Sequence, residues 1–465
     1  MPGLRSFLFS VLLLATFGAS AQESFVTRTG SSLLLDGKPF RFISVNIPNY
    51  FILEDTGDVR EPSWHRVTAF EQRDAARAVK RLGGQVFRAY CFAVEGGRNV
   101  DGRMAHIYAD ASGKIIYNEP LFRDVDRGLA IAAEEGVRVI LPLVDNWEWF
   151  GGYAEWAKLA DAQDFWTDAK AKSAYKEFLT WLLNRKNTVN GRLYKDDPTI
   201  MAWELGNEID KANASWLSEM AAHLKRQDRN HLIVDGGHKT IPAVSLQDAN
   251  IDIVTTHYTD DRFVSFAEQA ARAGKAYLYG EFDPSDLQRV SKIVSQTMTS
   301  PAAGAMAWSL RFRAESGGFY YHLDFDGHSD SLQYPGFSTN LPQGERQIFS
   351  VLRQAAYAIR DLPVPPEDAP DTPTMLPIRF PVALNWQGSA GADSYEVQRA
   401  GADGRWQTLA TDIGDAQPQM LDGKPIPRIS LYRDHPAAGT WSYRVIARNA
   451  NGDSAPSNAV QVVVP

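Results

Sequence analysis

The chain has 465 residues, with 48 Lys plus Arg against 56 Asp plus Glu and a formal net charge of -8. That acidic balance argues against nucleic acid as the main partner, since phosphate binding needs a basic surface. A hydrophobic share of 44% supports a large packed core and excludes global disorder. Gly and Pro usage is ordinary, which excludes collagen-like and low-complexity classes.

In chain order, the first 21 residues read as a secretory signal. Arg5 supplies the positive start, residues 7–19 form an apolar run too short to span a bilayer, and Ala19-Ser20-Ala21 is an A-x-A cleavage site. Gln22 is thus expected to begin the mature chain, and the protein to be secreted or periplasmic, with no membrane partner after signal removal. Cys91 is the only cysteine, so an intramolecular disulfide is excluded. It sits in an apolar strand-like run, Val86-Phe87-Arg88-Ala89-Tyr90-Cys91-Phe92, and reads as a buried, inert thiol.

From residue 22 to 361, apolar β-rich runs alternate with amphipathic helical patterns. The runs are 40–47, 85–92, 137–144, 199–208, 231–236, 251–258, 276–282 and 304–310; helical stretches such as 121–135 and 215–230 lie between them. Several runs are apolar at consecutive positions, which suits strands covered on both faces. Eight such units predict a (β/α)8 barrel. An open doubly wound sheet would carry a Gly-rich turn after its first strand; here that strand leads into Asn46-Ile47-Pro48-Asn49-Tyr50. Residues 362–373 are Pro-rich and read as a stiff linker. Residues 374–465 carry short alternating strands around Trp386, Tyr395, Trp406, Tyr443 and Val462, the pattern of a small immunoglobulin-like β-sandwich.

Barrel active sites lie at the C-terminal ends of the strands. Strand four ends Trp203-Glu204-Leu205-Gly206-Asn207-Glu208 and strand seven ends Tyr279-Gly280-Glu281-Phe282, on facing parts of the ring. Two carboxylates across a cleft are what glycoside hydrolysis requires, one to protonate the leaving oxygen and one to attack or to activate water.

These segments, with Asp197-Pro198-Thr199-Ile200-Met201-Ala202, Thr256-His257-Tyr258, Ala307-Trp308-Ser309-Leu310 and Gly317-Gly318-Phe319-Tyr320-Tyr321-His322, resemble glycoside hydrolase family 5, and its β-mannanases in particular, over residues 25–361. The C-terminal region resembles a fibronectin type III module through Leu384-Asn385-Trp386, Tyr395-Glu396-Val397 and Tyr443-Arg444-Val445. The first resemblance implies a retaining β-glycosidase for β-1,4-mannan needing no cofactor, with Glu208 as acid/base and Glu281 as nucleophile. It implies that Asn207 binds the sugar 2-hydroxyl, Arg88 keeps the nucleophile ionised, His257 and Tyr258 end strand six, and Trp308 forms the platform under the sugar. The sequence is divergent: Ile209 follows the Asn-Glu pair where Pro is common, Ser44 and Val45 precede Asn46, and Asp235-Gly236-Gly237-His238 ends strand five.

Retention predicts a Glu208–Glu281 carboxyl separation of roughly 5 to 5.5 Å. Acid catalysis by Glu208 predicts that it holds its proton more tightly than Glu281. Glu204 reads as a buried structural carboxylate paired with an Arg, and Glu315 and Asp324 as residues shaping subsites. His257, His322 and His328 lack metal-ligand spacing, so no metal is expected. Trp147 and Trp149 have two readings, loop core or sugar stacking, and Trp147 is carried as a substrate contact. The partner expected is a β-linked polysaccharide or oligosaccharide. Rival readings are an exo-acting β-mannosidase, with 52–70 as a blocking loop, an enzyme for another β-glycan, and a carbohydrate-binding protein on a dead barrel.

Overall fold

A computed structural model describes residues 24–54, 62–320, 322, 332–336, 344–416, 420–421, 424–425 and 430–465. The predicted leader lies outside these residues, as do Tyr321, Asp324, His328 and the centre of the 52–70 segment. Among the described residues no helix is long and apolar enough to cross a membrane.

All eight predicted runs form strands, and they close into one parallel barrel. In chain order they are β1 (Phe42–Asn46), β2 (Val86–Arg88), β3 (Arg138–Pro142), β4 (Ile200–Glu204), β5 (Leu232–Val234), β6 (Ile253–His257), β7 (Ala276–Phe282) and β8 (Gly304–Ala307), with β8 returning to β1. The outer layer includes α1 (Ala69–Leu82), α2 (Glu119–Glu135), α3 (Ala169–Leu183), α4 (Ala214–Gln227), α5 (Ala243–Gln247), α6 (Phe263–Arg272), α7 (Leu287–Thr299) and α8 (Glu345–Ala358). Helix starts are locally encoded: Thr68 and Glu71 form a reciprocal capping box on α1, and Asp168, Asn213 and Asp286 cap α3, α4 and α7. Gly83 and Gly136 end α1 and α2 in the left-handed conformation that such caps need.

Alternation along each strand sorts the core into two layers. Ile43, Val45, Phe87, Val139, Leu141, Trp203 and Val254 face outward and pack under the helices. Phe42, Val86, Ile140, Ala202, Val234, Ile253, Leu278 and Met306 fill the lower barrel axis, where Leu33 and Phe40 join them. Side chains two residues apart share a face. The inward positions above Phe42, Val86, Ala202 and Ile253 are therefore Asn46, Arg88, Glu204 and His257, at the C-terminal mouth. Cys91 is buried, and burial pushes its thiol well above its ordinary range.

The C-terminal region is all-β. Its main sheet orders β10 (Trp406–Ile413), β9 (Ser394–Ala400), β11 (Gly439–Asn449) and β12 (Gly452–Asp453), with β13 (Val460–Val464) also on β11. Short antiparallel pairs, Thr374–Met375 with Trp386–Gln387 and Ala383–Leu384 with Tyr432–Arg433, supply Met375, Leu384 and Trp386 to a core shared with Tyr395, Val397, Tyr443 and Val445. Trp406 and Trp441 lie under the guanidiniums of Arg444 and Arg399.

The Pro-rich stretch forms no helix or strand, but it does not hold the two regions apart. Arg77 pairs with Asp371, Arg81 donates to the Asp368 and Ala369 carbonyls, and Arg353 donates to Pro365, so the stretch lies along α1 and α8. The two regions then meet at a buried seam. Arg313, in the loop after β8, contacts Asp74 of α1 at 3.2 Å and Asp415 of the C-terminal region at 2.6 Å.

Candidate active site

The mouth of the barrel is organised by one guanidinium. Arg88, which ends β2, is fully buried and holds Glu204 through two hydrogen bonds of 2.7 and 2.8 Å. Its Nη1 donates to Glu281 at 2.8 Å and to Asn46 at 3.3 Å, and Nη2 donates to Asn207 at 2.8 Å. Asn46 is fixed in turn by donating to the carbonyls of Gly280 and Ala307. A buried charge persists only when paired, and Arg88 spreads its charge over two carboxylates from β4 and β7.

Glu208 and Tyr258 both have positive φ, +53° and +51°. These left-handed residues turn the chain sharply as it leaves β4 and β6, at a local cost of order 1 kcal/mol or more. Oxygens of Glu208 and Glu281 and a His257 nitrogen all lie within 4.8 Å of one another. His257 Nδ1 is 3.0 Å from Glu208 and 3.4 Å from Glu281. Its Nε2 is buried without a hydrogen-bond partner, so Nδ1 is the ring nitrogen that donates toward the carboxylates. Trp147 Nε1 donates to Glu208 at 2.7 Å, and the Tyr258 hydroxyl donates to Glu281. A cation among the three would stand against the Arg88 guanidinium and the Nδ1–H, so the donor set does not fit a metal.

The residues predicted to act in catalysis or to bind substrate gather here. Arg88, Asn207, Glu208, His257, Tyr258, Glu281 and Trp147 form one hydrogen-bonded group. Trp308 adjoins it through Tyr90, with ring centroids 5.7 Å apart. Trp149 is buried beside Tyr90, Phe150 and His322, while Trp147 is 46% exposed. His322 contacts Glu54 at 3.3 Å. Leu53–Glu54 pairs with Trp64–His65, so part of the 52–70 segment is a short hairpin. Glu315 lies apart, at the seam, where its backbone accepts from Gln387.

Sequence reasoning missed four partners. Asn207 Nδ2 donates to the Tyr90 hydroxyl at 2.8 Å and to Asp145 at 2.9 Å. Asn46 braces Arg88. His238 Nε2 lies 3.1 Å from Glu208 and its Nδ1 2.9 Å from Asp210. Gly236-Gly237 before His238 was the available signal: a Cβ on Gly236 would sit 2.0 Å from the Gly206 carbonyl oxygen, so only glycine lets the loop approach β4.

The protonation order differs from the one expected. Burial works to raise the Glu208 carboxyl, but His257, His238 and Trp147 bring it down to about 2. Burial raises Glu281, and Glu208 adds to this, against the opposing pull of His257 and Arg88. Burial also pushes Asp145 up to about 8, although Asn207 donates to it.

Fold and site together define a (β/α)8 barrel with a facing carboxylate pair at its C-terminal mouth. The chain belongs to GH family 5 beta-mannosidase-like, whose profile matches residues 23–272. It is 34% identical over 281 residues to mannan endo-1,4-beta-mannosidase 7 of Arabidopsis thaliana, covering 53% of this chain and 61% of that protein. It is 32% identical over 286 residues to mannan endo-1,4-beta-mannosidase 1 of Oryza sativa subsp. japonica, covering 54% and 62%. The chain thus spans about three fifths of the length of these relatives. The endo-1,4-beta-mannanase from Rhizomucor miehei shares the fold with a TM-score of 0.59 at 20% identity, over 73% of this chain and 100% of that one.

Proposed function

We propose that this chain is a retaining β-glycosidase that hydrolyses β-1,4-mannosidic bonds in mannan-type polysaccharides or oligosaccharides by double displacement. The carboxylate separation carries the reading. Oxygens of Glu208 and Glu281 within 4.8 Å fit the roughly 5–5.5 Å of retaining enzymes and fall short of the roughly 6.5–9.5 Å that inversion needs for a water. The names of the two plant relatives support mannan as the substrate class.

In this mechanism Glu281, oriented by Arg88 and Tyr258, attacks the anomeric carbon and forms a glycosyl ester. Glu208 gives a proton to the leaving oxygen as the glycosidic bond breaks, then takes one from the water that hydrolyses the ester. Loss of the Glu281 charge in the ester lowers the proton affinity of Glu208, which suits its second role as base. Asn207, clamped by Arg88, Tyr90 and Asp145, is placed to bind the 2-hydroxyl, and Trp308 to underlie the sugar. The reading extends to an exported protein with residues 22–361 as catalytic barrel, 362–373 as linker and 374–465 as a fibronectin type III-like sandwich.

The test is digestion of mannan, mannooligosaccharides and cellooligosaccharides, with proton NMR of the first product released. Mannan-derived products in the β-anomeric form are expected. First products in the α-form would refute retention, and preference for cellooligosaccharides would refute the substrate class.

A further inference from the structure

We propose that Asp210 and His238 form a proton-holding relay behind Glu208, with the acid proton of the resting site lodged on His238. This rests on the reading of Glu208 as acid/base. His238 touches the Glu208 carboxylate with one ring nitrogen and the Asp210 carboxylate with the other, at 3.1 and 2.9 Å. A ring held between two carboxylates is most stable as an imidazolium donating to both. Glu208 Oε1 also receives the His257 Nδ1–H and Oε2 the Trp147 Nε1–H. Trp147 is a donor only, and His257 has no second partner on its buried Nε2 through which to pass a proton. His238 is therefore the neighbour able to exchange a proton with Glu208.

His257 does most to lower the proton affinity of Glu208, and His238 adds to it. In the relay, one proton is shared across the 3.1 Å contact between His238 Nε2 and Glu208, and it rests on nitrogen. As the glycosidic bond breaks, the His238 Nε2–H proton passes to Glu208 and Glu208 passes it to the leaving oxygen, which keeps the bonding electron pair. His238 becomes neutral and Glu208 returns to carboxylate. In the second step Glu208 takes a proton from water and returns it to His238, closing the cycle. The titratable groups facing His238 are Glu208 and Asp210 after β4 and His257 of β6. Lys239 follows it in its own loop, its carbonyl accepting from Arg262 at the start of α6. Glu281 and Arg88 lie behind Glu208.

His238 is a positioning residue acting through Glu208, so the readout is the pH profile of kcat/KM in the full chain. On mannooligosaccharides, whose leaving group needs a proton, His238→Gln and Asp210→Asn should move the basic limb to lower pH. His238→Gln should move it by about one unit, a loss of about tenfold on that limb. On a dinitrophenyl mannoside, whose leaving group needs no proton, kcat/KM, which reports only the first step, should fall far less in His238→Gln than it does on mannooligosaccharides. An unmoved basic limb in both variants, or equal losses on both substrates, would overturn the relay. Wild-type inactivity on both substrates would instead overturn the glycosidase reading on which the relay depends.

Discussion

Arg88 and Arg313 are buried to the same degree, each 1% exposed, and each binds two carboxylates. Their surroundings differ. Around Arg313 everything is closed: Asp415 also accepts from Tyr395, Asp74 accepts from the Arg313 backbone, and the Phe319 ring covers the guanidinium at 4.4 Å. Around Arg88 only the Glu204 side is closed. Glu281 lies at the C-terminal mouth of the barrel, where Tyr258, His257 and Glu208 converge on it. A desolvated ion cluster is a clamp when all its oxygens are enclosed. It can be a reactive site when one of its carboxylates stands at a barrel mouth beside a second, unclamped carboxylate.

Replacing carboxylate or guanidinium separates the two cases. The largest effect is expected from Glu281→Gln, a loss of at least about 10⁴-fold in kcat on mannooligosaccharides. If Glu281 were only a clamp, the variant would lose stability and keep turnover; kinetics beside urea denaturation distinguish the two. Arg313→Met should do the reverse. It strands Asp74 and Asp415 in the seam and costs about 3–5 kcal/mol of stability, with turnover per folded molecule retained on a short oligosaccharide.

Asp145 gives the next effect, one that depends on pH. Its folded-state carboxyl is raised to about 8 by burial, against an unfolded value of about 3.9. The folded protein therefore holds a proton that the unfolded chain releases above about pH 4. The resulting stabilisation is complete below that pH and is lost as pH rises toward 8. Asp145→Asn removes this dependence, so its stability relative to wild type should rise between pH 5 and pH 8, as urea midpoints would register. A constant difference would mean that Asp145 is ionised throughout. The smallest effect belongs to the rim of the seam. Arg346 and Asp393 pair at 2.6 Å but are 54% and 32% exposed at their side chains, so Arg346→Gln should cost no more than about 1 kcal/mol.

The same contrast explains what could be read from the sequence. Parallel strands buried on both faces leave continuous apolar runs, so all eight barrel strands were legible, and Glu208 and Glu281 stood at their ends. Asn46, Tyr90, Asp145 and His238 have no local signature, because their roles arise where separate strand ends converge. The seam was hidden for the same reason. Arg313 lies 239 residues from Asp74 and 102 from Asp415, and no local pattern marks a charge whose partners are that distant. The short strands Thr374–Met375, Tyr432–Arg433 and Gly452–Asp453 were missed because two residues cannot show an alternating pattern.

The central claim is that Glu281, alone among the carboxylates paired with these two arginines, becomes covalently bonded to sugar. Incubation with a 2-deoxy-2-fluoro-β-mannosyl fluoride, followed by peptide mass spectrometry, tests it directly. The expected result is one fluoromannosyl group on Glu281, absent from Glu281→Gln. Labelling of Glu204 or Glu208, or substrate turnover with no trapped ester, would contradict it.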